Sequence, residues 1–273
     1  MDEAIPILLV GCGKMGGAML AGWRARGVPA DRVFAVEPAG DLAAAIRDAH
    51  GIVVVAGPEE LPADLAPATV VLAVKPQMMD QAIGAYARYA ATGALMLSIA
   101  AGKTIGYFER HLGQGAAIVR SMPNTPAAVG RGITALAANA HVSPAQRGAA
   151  ENLLAAVGET VWLEDEAMLD AVTAVSGGGP AYVFLLIETL AKAGVAAGLP
   201  EDVAMRLARC TVAGSGELAH RSGESAEQLR KNVTSPGGTT LEALKVLMQE
   251  DAIQPLFDRA IAAATARSRE LAG

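Results

Sequence analysis

The chain has 273 residues, of which 52% are hydrophobic and 18% charged, a composition typical of a folded globular protein long enough for two domains. Its 22 Lys and Arg side chains against 28 Asp and Glu give a net charge of −6, and the absence of a basic run argues against a nucleic-acid partner. The acidic start Met1-Asp2-Glu3 argues against a signal peptide, and the best apolar stretch, 181–190, is interrupted by Glu188, so we expect no membrane span and a cytoplasmic location.

A glycine-rich turn follows the first predicted strand, the apolar run 5–10, and precedes a segment with helical character. In G-x-G-x-x-G, the first glycine permits a tight turn, the second lets a pyrophosphate approach the backbone, and the third lets the helix pack closely. The N–H groups at the start of the helix then favour phosphate binding. A purely structural turn is the alternative, but the position between a strand and a helix favours a dinucleotide site. That site comprises Gly11, Cys12, Gly13, Lys14, Met15 and Gly16.

A carboxylate ends the second predicted strand, 31–36. Glu37 lies about 20 residues after Gly16, where a dinucleotide fold places the group that bonds the adenosine ribose hydroxyls. An ordinary solvated charge at the end of a strand is the alternative. No Arg or Lys occurs from Pro38 to Ile46 to accept a 2′-phosphate, so the sequence predicts a preference for NADH over NADPH.

Further strands are predicted at 52–55, 70–74, 95–99, 117–120, 132–137 and 160–163, with a short helix at 42–49. Three of them end in distinctive loops, at Lys75-Pro76, at Ala100-Ala101-Gly102 and at residues 122–126. Loops at the carboxyl ends of parallel strands line the ligand crevice of an open sheet, although proline also simply ends strands. Three such loops in succession favour a surface that faces the cofactor.

From about residue 164 the strand signals stop, and helices are predicted at 167–175, 181–198, 203–220, 240–249 and 252–271. The second of these is apolar on every side and must be buried, most simply against a second chain. We therefore predict an α/β fold, with an N-terminal Rossmann-type, doubly wound, mostly parallel sheet (1–163) and a C-terminal all-α dimerisation domain (164–273).

A second candidate site lies at 233–245. The turn Ser235-Pro236-Gly237-Gly238 precedes Thr239-x-x-Glu242, which fits a capping box with Thr239 as the N-cap residue. Glycines beside a helix N-terminus form a set of N–H donors suited to a small carboxylate, and Ser235 and Thr240 add hydroxyl groups. A well-capped helix without a ligand is the alternative.

Together these motifs resemble the pyrroline-5-carboxylate reductase family over nearly the whole chain. The most specific is Ser-Pro-Gly-Gly-Thr-Thr at 235–240, whereas the phosphate loop is shared with many dehydrogenases. The sequence departs from the family at Gly178, where Ser or Cys is common, and at Val36-Glu37-Pro38, where many members carry an Asn-Arg type sequence suited to a 2′-phosphate. The other similar stretches are 11–16, 74–77, 98–102, 120–126 and 170–177.

The resemblance implies hydride transfer from NADPH or NADH to 1-pyrroline-5-carboxylate, giving L-proline, the last step of proline biosynthesis. It implies an interlocked homodimer, often assembled as a decamer of five dimers. It also implies that Thr240 hydrogen-bonds the ring nitrogen and acts as the catalytic residue. The implied substrate-binding residues are Ser235, Gly237, Gly238, Thr239 and Thr240, and the implied cofactor residues after the second strand are Ala73, Val74, Lys75, Pro76, Ala100 and Asn124.

Two other functions remain open at this stage. A different Rossmann oxidoreductase, such as a 2-hydroxyacid dehydrogenase or another imine reductase, generally needs a lysine or another acid in the helical domain, and Lys192 is better explained as the helix partner of Glu188. A nucleotide sensor without catalysis has no need of the carboxylate-binding loop. With two cysteines and four histidines outside every metal-ligand pattern, we expect no bound metal.

Overall fold

The apolar runs form one sheet of eight strands in the computed structural model, which describes residues 6–272. The strand order is β3-β2-β1-β4-β5-β6-β7-β8. All neighbours pair in parallel except β6 and β7, which are antiparallel, so the predicted mostly parallel, doubly wound sheet is confirmed. The strands are β1 (Ile7–Val10), β2 (Val33–Val36), β3 (Val53–Val55), β4 (Thr69–Leu72), β5 (Leu95–Ser98), β6 (Ile118–Met122), β7 (Gly132–Ala138) and β8 (Gly158–Trp162).

The strand order reverses on either side of β1. Val10, the last residue of β1, pairs with Val36 of β2 on one side and with Leu72 of β4 on the other. The carboxyl ends of these three strands therefore lie side by side, and a crevice opens where successive connections diverge. All residues of β1, β4 and β5 are buried, which explains why these strands are continuous apolar runs rather than alternating ones.

Helices cover both faces of the sheet. On one face a core that includes Trp23 packs beneath the first and sixth helices, and the Trp23 indole N–H donates to the Leu153 carbonyl at 2.8 Å. The other face is filled by a second core that includes Tyr86 and Phe108. These helices are α1 (Lys14–Ala25), α2 (Gly40–His50), α3 (Met79–Ala82), α4 (Ala87–Ala91), α5 (Ile105–Leu112), α6 (Pro144–Ala155) and α7 (Met168–Val172), the last followed by a π-turn (Thr173–Gly177).

The remaining elements are helical, as predicted. Residues 178–263 form one compact unit, and the rest of the described chain forms the other; the predicted functional boundary at 163/164 stays a prediction. In the unit 178–263, close packing between the helices Gly179–Ala196 and Glu201–Arg221 depends on Gly194, where a Cβ atom would lie 3.2 Å from that of Ala204. The helices are α8 (Gly179–Ala196), α9 (Glu201–Arg221), α10 (Ala226–Asn232), α11 (Thr239–Leu247) and α12 (Ile253–Ala272).

The apolar helix α8 is largely exposed within the protomer. Phe184 and Leu185 are 60% and 59% exposed, and Val183, Leu186 and Leu190 are also exposed. Including α7 and the π-turn, the segment Met168–Ala196 is long and apolar enough to cross a membrane by length and composition alone, and an 18-residue stretch of it has a mean hydropathy of 1.3. The expectation that no stretch reaches that length is therefore wrong, because helical residues before Ala181 extend the apolar run.

Candidate functional site

The turn between β1 and α1 is tight and packs against the end of β4. Gly11 has a φ of +89°, which side chains rarely adopt, and its N–H donates to the Val36 carbonyl at 2.9 Å. A Cβ atom at Gly11 would lie 3.0 Å from the carbonyl carbon and oxygen of Ala73. This residue therefore fixes the turn at the point where the strand order reverses.

The other two glycines of the motif have different surroundings. A Cβ atom at Gly16 would lie 2.2 Å from the Gly11 carbonyl oxygen, so only glycine fits there without a shift. Gly13, the N-cap residue of α1, is exposed and has no heavy atom within 4 Å of a Cβ position. The N–H groups of Lys14 and Met15, at the first two positions of α1, have no acceptor within the described chain. The turn therefore offers open space beside free backbone donors, which fits a pyrophosphate.

Glu37 is bound to the phosphate loop. The residue is 8% exposed, and its carboxylate accepts hydrogen bonds from the Cys12 N–H at 2.8 Å and from the Ala39 N–H at 3.0 Å. The side chain is thus a buried connection between the ends of β1 and β2, and the solvated-charge alternative is wrong. Each carboxylate oxygen retains an unused lone pair, so these two bonds leave the carboxylate able to accept further hydrogen bonds.

Cys12 is buried beside this carboxylate. Burial, followed by the negative charge of Glu37, raises the pKa of the Cys12 thiol to about 12. Because the thiolate is the reactive form, this thiol is unreactive near neutral pH. Cys12 is therefore better explained as a small buried residue of the turn than as an oxidation sensor.

The loops after β4, β5 and β6 hold the remaining predicted cofactor residues. Lys75 is exposed, and Val74 and Pro76 are half-buried, immediately after β4. Ala100 is buried, and its N–H donates to the Ser98 hydroxyl at 3.1 Å. These positions share the sheet edge of the phosphate loop, because β1, β4 and β5 are parallel.

Asn124 makes hydrogen bonds within the protein through both ends of its amide. Its Nδ2 donates to the Ser176 carbonyl in the π-turn at 3.2 Å, and its Oδ1 accepts from the Ile133 N–H at 3.0 Å. The side chain therefore joins the loop after β6 to β7 and to the π-turn. One Nδ2 proton remains for a ligand.

Sequence reasoning missed a partly buried ion pair near these loops. Arg120 of β6, 5% exposed, donates to the Glu166 carboxylate at 2.7 Å. The same carboxylate oxygen accepts from the Ile105 N–H at the first position of α5, at 2.8 Å. Because Glu166 is 46 and 61 residues from its two partners, no local pattern indicates this arrangement.

The second candidate site is the loop between α10 and α11. Gly237 has a φ of +68°, and the Gly238 N–H donates to the Ser235 carbonyl at 3.1 Å, which closes the turn. Helix α11 then begins at Thr239. The N–H groups of Thr239 and Thr240 have no acceptor within the described chain, and both residues are exposed. This start of the helix therefore presents free N–H donors beside two hydroxyl groups.

The predicted capping box at this helix is wrong. Gly238, with extended backbone, is the N-cap residue, and no side chain accepts a hydrogen bond there. The Glu242 carboxylate instead binds the Lys245 ammonium group at 2.7 Å. The physical reason is the turn at Gly237 and Gly238, which starts the helix one residue earlier and places Thr239 at its first position.

Among residues 6–272, no group of three or more His, Cys, Asp and Glu side chains is arranged to hold a metal ion.

Known proteins are similar to this chain in both sequence and structure. Residues 166–271 match the family model described as pyrroline-5-carboxylate reductase dimerisation, and residues 6–102 match that described as NADP oxidoreductase, coenzyme F420-dependent. A pyrroline-5-carboxylate reductase from Pseudomonas aeruginosa is 44% identical, over 97% of this chain and 96% of the relative.

Two solved structures extend the likeness to the whole fold. The structure of a pyrroline-5-carboxylate reductase from Coxiella burnetii has a TM-score of 0.93 and 34% identity, covering 98% of this chain and 99% of the other. The Plasmodium falciparum pyrroline carboxylate reductase, solved with NADP bound, has a TM-score of 0.80 and 29% identity, covering 99% of each chain. The chain therefore belongs to the pyrroline-5-carboxylate reductase family.

Proposed function

We propose that this chain performs the family's reaction with two backbone-lined anion sites, one at the start of α1 for the coenzyme pyrophosphate and one at the start of α11 for the substrate carboxylate. As a member of the family, the chain reduces 1-pyrroline-5-carboxylate to L-proline with NAD(P)H. The observation that carries the proposal is the pair of unpartnered N–H groups at Thr239 and Thr240. A carboxylate suits such donors at the positive end of a nine-residue helix.

The proposed coenzyme residues surround the carboxyl ends of β1, β4, β5 and β6. Open space at Gly13 leaves room for a pyrophosphate beside the free N–H groups of Lys14 and Met15. When bound, the reduced nicotinamide supplies the hydride. The full proposed set is Gly11, Cys12, Gly13, Lys14, Met15, Gly16, Glu37, Ala73, Val74, Lys75, Pro76, Ala100 and Asn124.

Thr240 is the proposed catalytic residue. A cyclic imine is basic enough to arrive protonated, so its reduction needs orientation and placement of charge more than a strong acid. Hydride addition to the ring C=N carbon turns the charged nitrogen into a neutral amine. The Thr240 hydroxyl, which makes no hydrogen bond within the described chain, is free to bind that nitrogen throughout. Ser235, Gly237, Gly238 and Thr239 complete the proposed substrate site.

The buried Glu37 carboxylate supports a preference for NADH. It would accept hydrogen bonds from the ribose hydroxyls but repel the 2′-phosphate of NADPH. Asp41, in the first turn of α2, is an exposed carboxylate outside the proposed coenzyme site. Two charges 4 Å apart near a protein surface interact by about 4 kcal/mol, more than the ~1.4 kcal/mol that gives a tenfold preference.

The experiment follows the loss of reduced-coenzyme absorbance with 1-pyrroline-5-carboxylate, using NADH and NADPH separately. We expect turnover with both and a higher kcat/KM with NADH; turnover with neither would favour the nucleotide sensor. Glu37→Ser should reduce the preference about tenfold, whereas Asp41→Ser, the matched change at an exposed site, should largely keep it. Equal catalytic efficiencies in the parent would refute the role of Glu37 in coenzyme choice.

The proposed assembly is a homodimer in the cytoplasm, with a decamer of five dimers as its larger form. Support comes from the exposed apolar side chains of α8, which lie inside the region that matches the dimerisation family. Burial of such a surface against a second copy stabilises the folded state without further groups.

A further inference from the structure

A polar cluster joins two neighbouring loops at the edge of the sheet. The Asp80 carboxylate accepts a hydrogen bond from the Tyr107 hydroxyl at 2.6 Å and an ionic hydrogen bond from the Lys103 ammonium group at 2.9 Å. The Lys103 nitrogen also lies 4.2 Å from the centre of the Tyr107 ring, within cation–π distance. Each of the three side chains thus contacts the other two.

The position of each residue shows what the cluster connects. Asp80 lies in the first turn of α3, just after the loop that follows β4. Lys103 lies in the loop that follows β5, one residue before its end, and Tyr107 lies in the first turn of α5. Because β4 and β5 are parallel neighbours, with Leu72 opposite Ser98, their loops leave the sheet side by side. The three side chains therefore join the two loops across this edge.

The loop after β5 is anchored independently on its other side. Its last residue, Thr104, caps α5 by accepting from the Tyr107 N–H, and the next N–H, of Ile105, donates to the Glu166 carboxylate. Gly102, with a φ of +74°, lies against the Leu271 backbone. One end of this loop is thus fixed to the protein core, and the Asp80 contacts determine how the loop lies against the loop after β4.

We propose that Asp80, together with Lys103 and Tyr107, is a positioning group for coenzyme binding that holds the loops after β4 and β5 at a fixed spacing. The inference rests on the proposed coenzyme site, in which these loops supply Ala73–Pro76 and Ala100. Within the described chain, the Asp80 carboxylate hydrogen-bonds Lys103 and Tyr107 but no proposed coenzyme residue, so its effect on binding passes through the loops.

Charge and exposure separate this role from a structural one. The Tyr107 hydroxyl and then Lys103 lower the pKa of the Asp80 carboxyl, which therefore stays ionised near neutral pH. The Asp80 side chain is 64% exposed and that of Lys103 is 20% exposed. An ion pair this exposed contributes little to folding stability, so its loss should affect binding and leave the melting temperature nearly unchanged.

The test measures the Kd of NADH, by the fluorescence of the bound dihydronicotinamide, for the full-length parent, Asp80→Asn, Lys103→Met and the double variant. We expect each single variant to bind about three- to tenfold more weakly, and the double variant to bind no more weakly than either. Lys103→Arg, which keeps the charge and the ring contact, should restore most of the affinity. The KM for 1-pyrroline-5-carboxylate and the kcat at saturating NADH should change by less than about twofold.

A control removes an ion pair elsewhere whose carboxylate is about as exposed as that of Asp80. Glu227→Gln breaks the pair with Lys231 in α10, where both side chains are about 60% exposed, and should leave the Kd of NADH unchanged. Parent-like affinity in Asp80→Asn would overturn the inference, and together with a loss in Lys103→Met it would mean that Lys103 contacts the coenzyme directly. Losses of NADH affinity that multiply in the double variant would also overturn the inference, because they would show that the two residues act independently. A parent that binds no NADH or NADPH would refute the proposed function itself.

Discussion

Three neighbouring glycines at the start of α1 provide a test of the phosphate loop with a single type of substitution. The space around a new Cβ atom differs sharply among Gly13, Gly16 and Gly17. Replacing each by alanine therefore separates three effects, namely exclusion of the coenzyme, a backbone clash and a gain in helix propensity. The three variants also serve as controls for one another.

Gly16→Ala should be strongly destabilising. The new Cβ would lie 2.2 Å from the Gly11 carbonyl oxygen, against an ordinary contact distance of at least 3.4 Å. The obstacle is backbone, so α1 would have to move by roughly 1 Å, and overpacking of this kind costs about 2–3 kcal/mol. For a chain of this size that corresponds to a fall in Tm of about 4–12 °C.

Gly17→Ala and Gly13→Ala should behave differently from each other. At Gly17 the nearest atom, the Cys12 carbonyl oxygen, is 3.4 Å away, so the methyl group fits and the helix gains about 0.5–1 kcal/mol. At Gly13 nothing lies within 4 Å, and the loss of a glycine cap costs at most about 1 kcal/mol. The Gly13→Ala methyl group would instead occupy the space proposed for the pyrophosphate, and should weaken NADH binding by about tenfold or more.

Thermal melting without coenzyme and fluorescence titration with NADH measure the two quantities separately. We expect Gly13→Ala to lose affinity with little loss of Tm, Gly16→Ala to lose both, and Gly17→Ala to keep both. Parent-like NADH affinity in Gly13→Ala would contradict the approach of the pyrophosphate to this turn. A Gly16→Ala variant that melts with the parent would contradict the steric reasoning.

Three more predictions concern the helical region. Thr240→Ala should lower kcat/KM for 1-pyrroline-5-carboxylate about 5- to 150-fold, the effect of losing one oriented hydrogen bond worth about 1–3 kcal/mol, with Tm and NADH affinity nearly unchanged. Because the Thr239 side chain caps nothing, Thr239→Ala should change the free energy of unfolding by no more than about 0.5 kcal/mol. A large loss of stability in this variant would contradict the assignment of Gly238 as the cap. Phe184→Asp should weaken the dimer at micromolar concentration in light scattering, whereas a folded, active monomer of the parent would refute the dimer.

Local sequence patterns predicted the strands well. Strands covered on both faces are short, continuous apolar runs in the sequence. The ends of β4 and β5 differ by at most two residues from the predicted ranges 70–74 and 95–99. The helices were predicted less completely. Helix α6, which begins after a true capping box at Ser143 and Gln146, was not predicted. That signal was available, because Ser-Pro-x-Gln combines an N-cap residue with proline at the first helical position.

Contacts between distant segments could not be predicted from local patterns. Glu37 binds the Cys12 N–H across 25 residues, and Lys103 binds Asp80 across 23. Such contacts depend on which strands become neighbours, and the reversal of strand order at β1 is a property of the whole sheet. The spacing in a dinucleotide motif located Glu37, but only the tertiary structure shows that its carboxylate holds the phosphate loop.

The incorrect capping prediction and the proposed carboxylate site have one physical cause. Helices α5, α6 and α10 have the N-cap residues Thr104, Ser143 and Ser225, whose side chains accept hydrogen bonds from the first turn of their own helix. Helices α1 and α11 have glycine N-caps with extended backbone and no side-chain acceptor, so their first N–H groups stay unpartnered. Helix α8 also follows a glycine, but Gly178 has helical backbone angles and continues the preceding π-turn. A glycine cap with extended backbone therefore leaves the first N–H donors of α1 and α11 open to an anion, whereas a serine or threonine cap would compete with the ligand for the same donors.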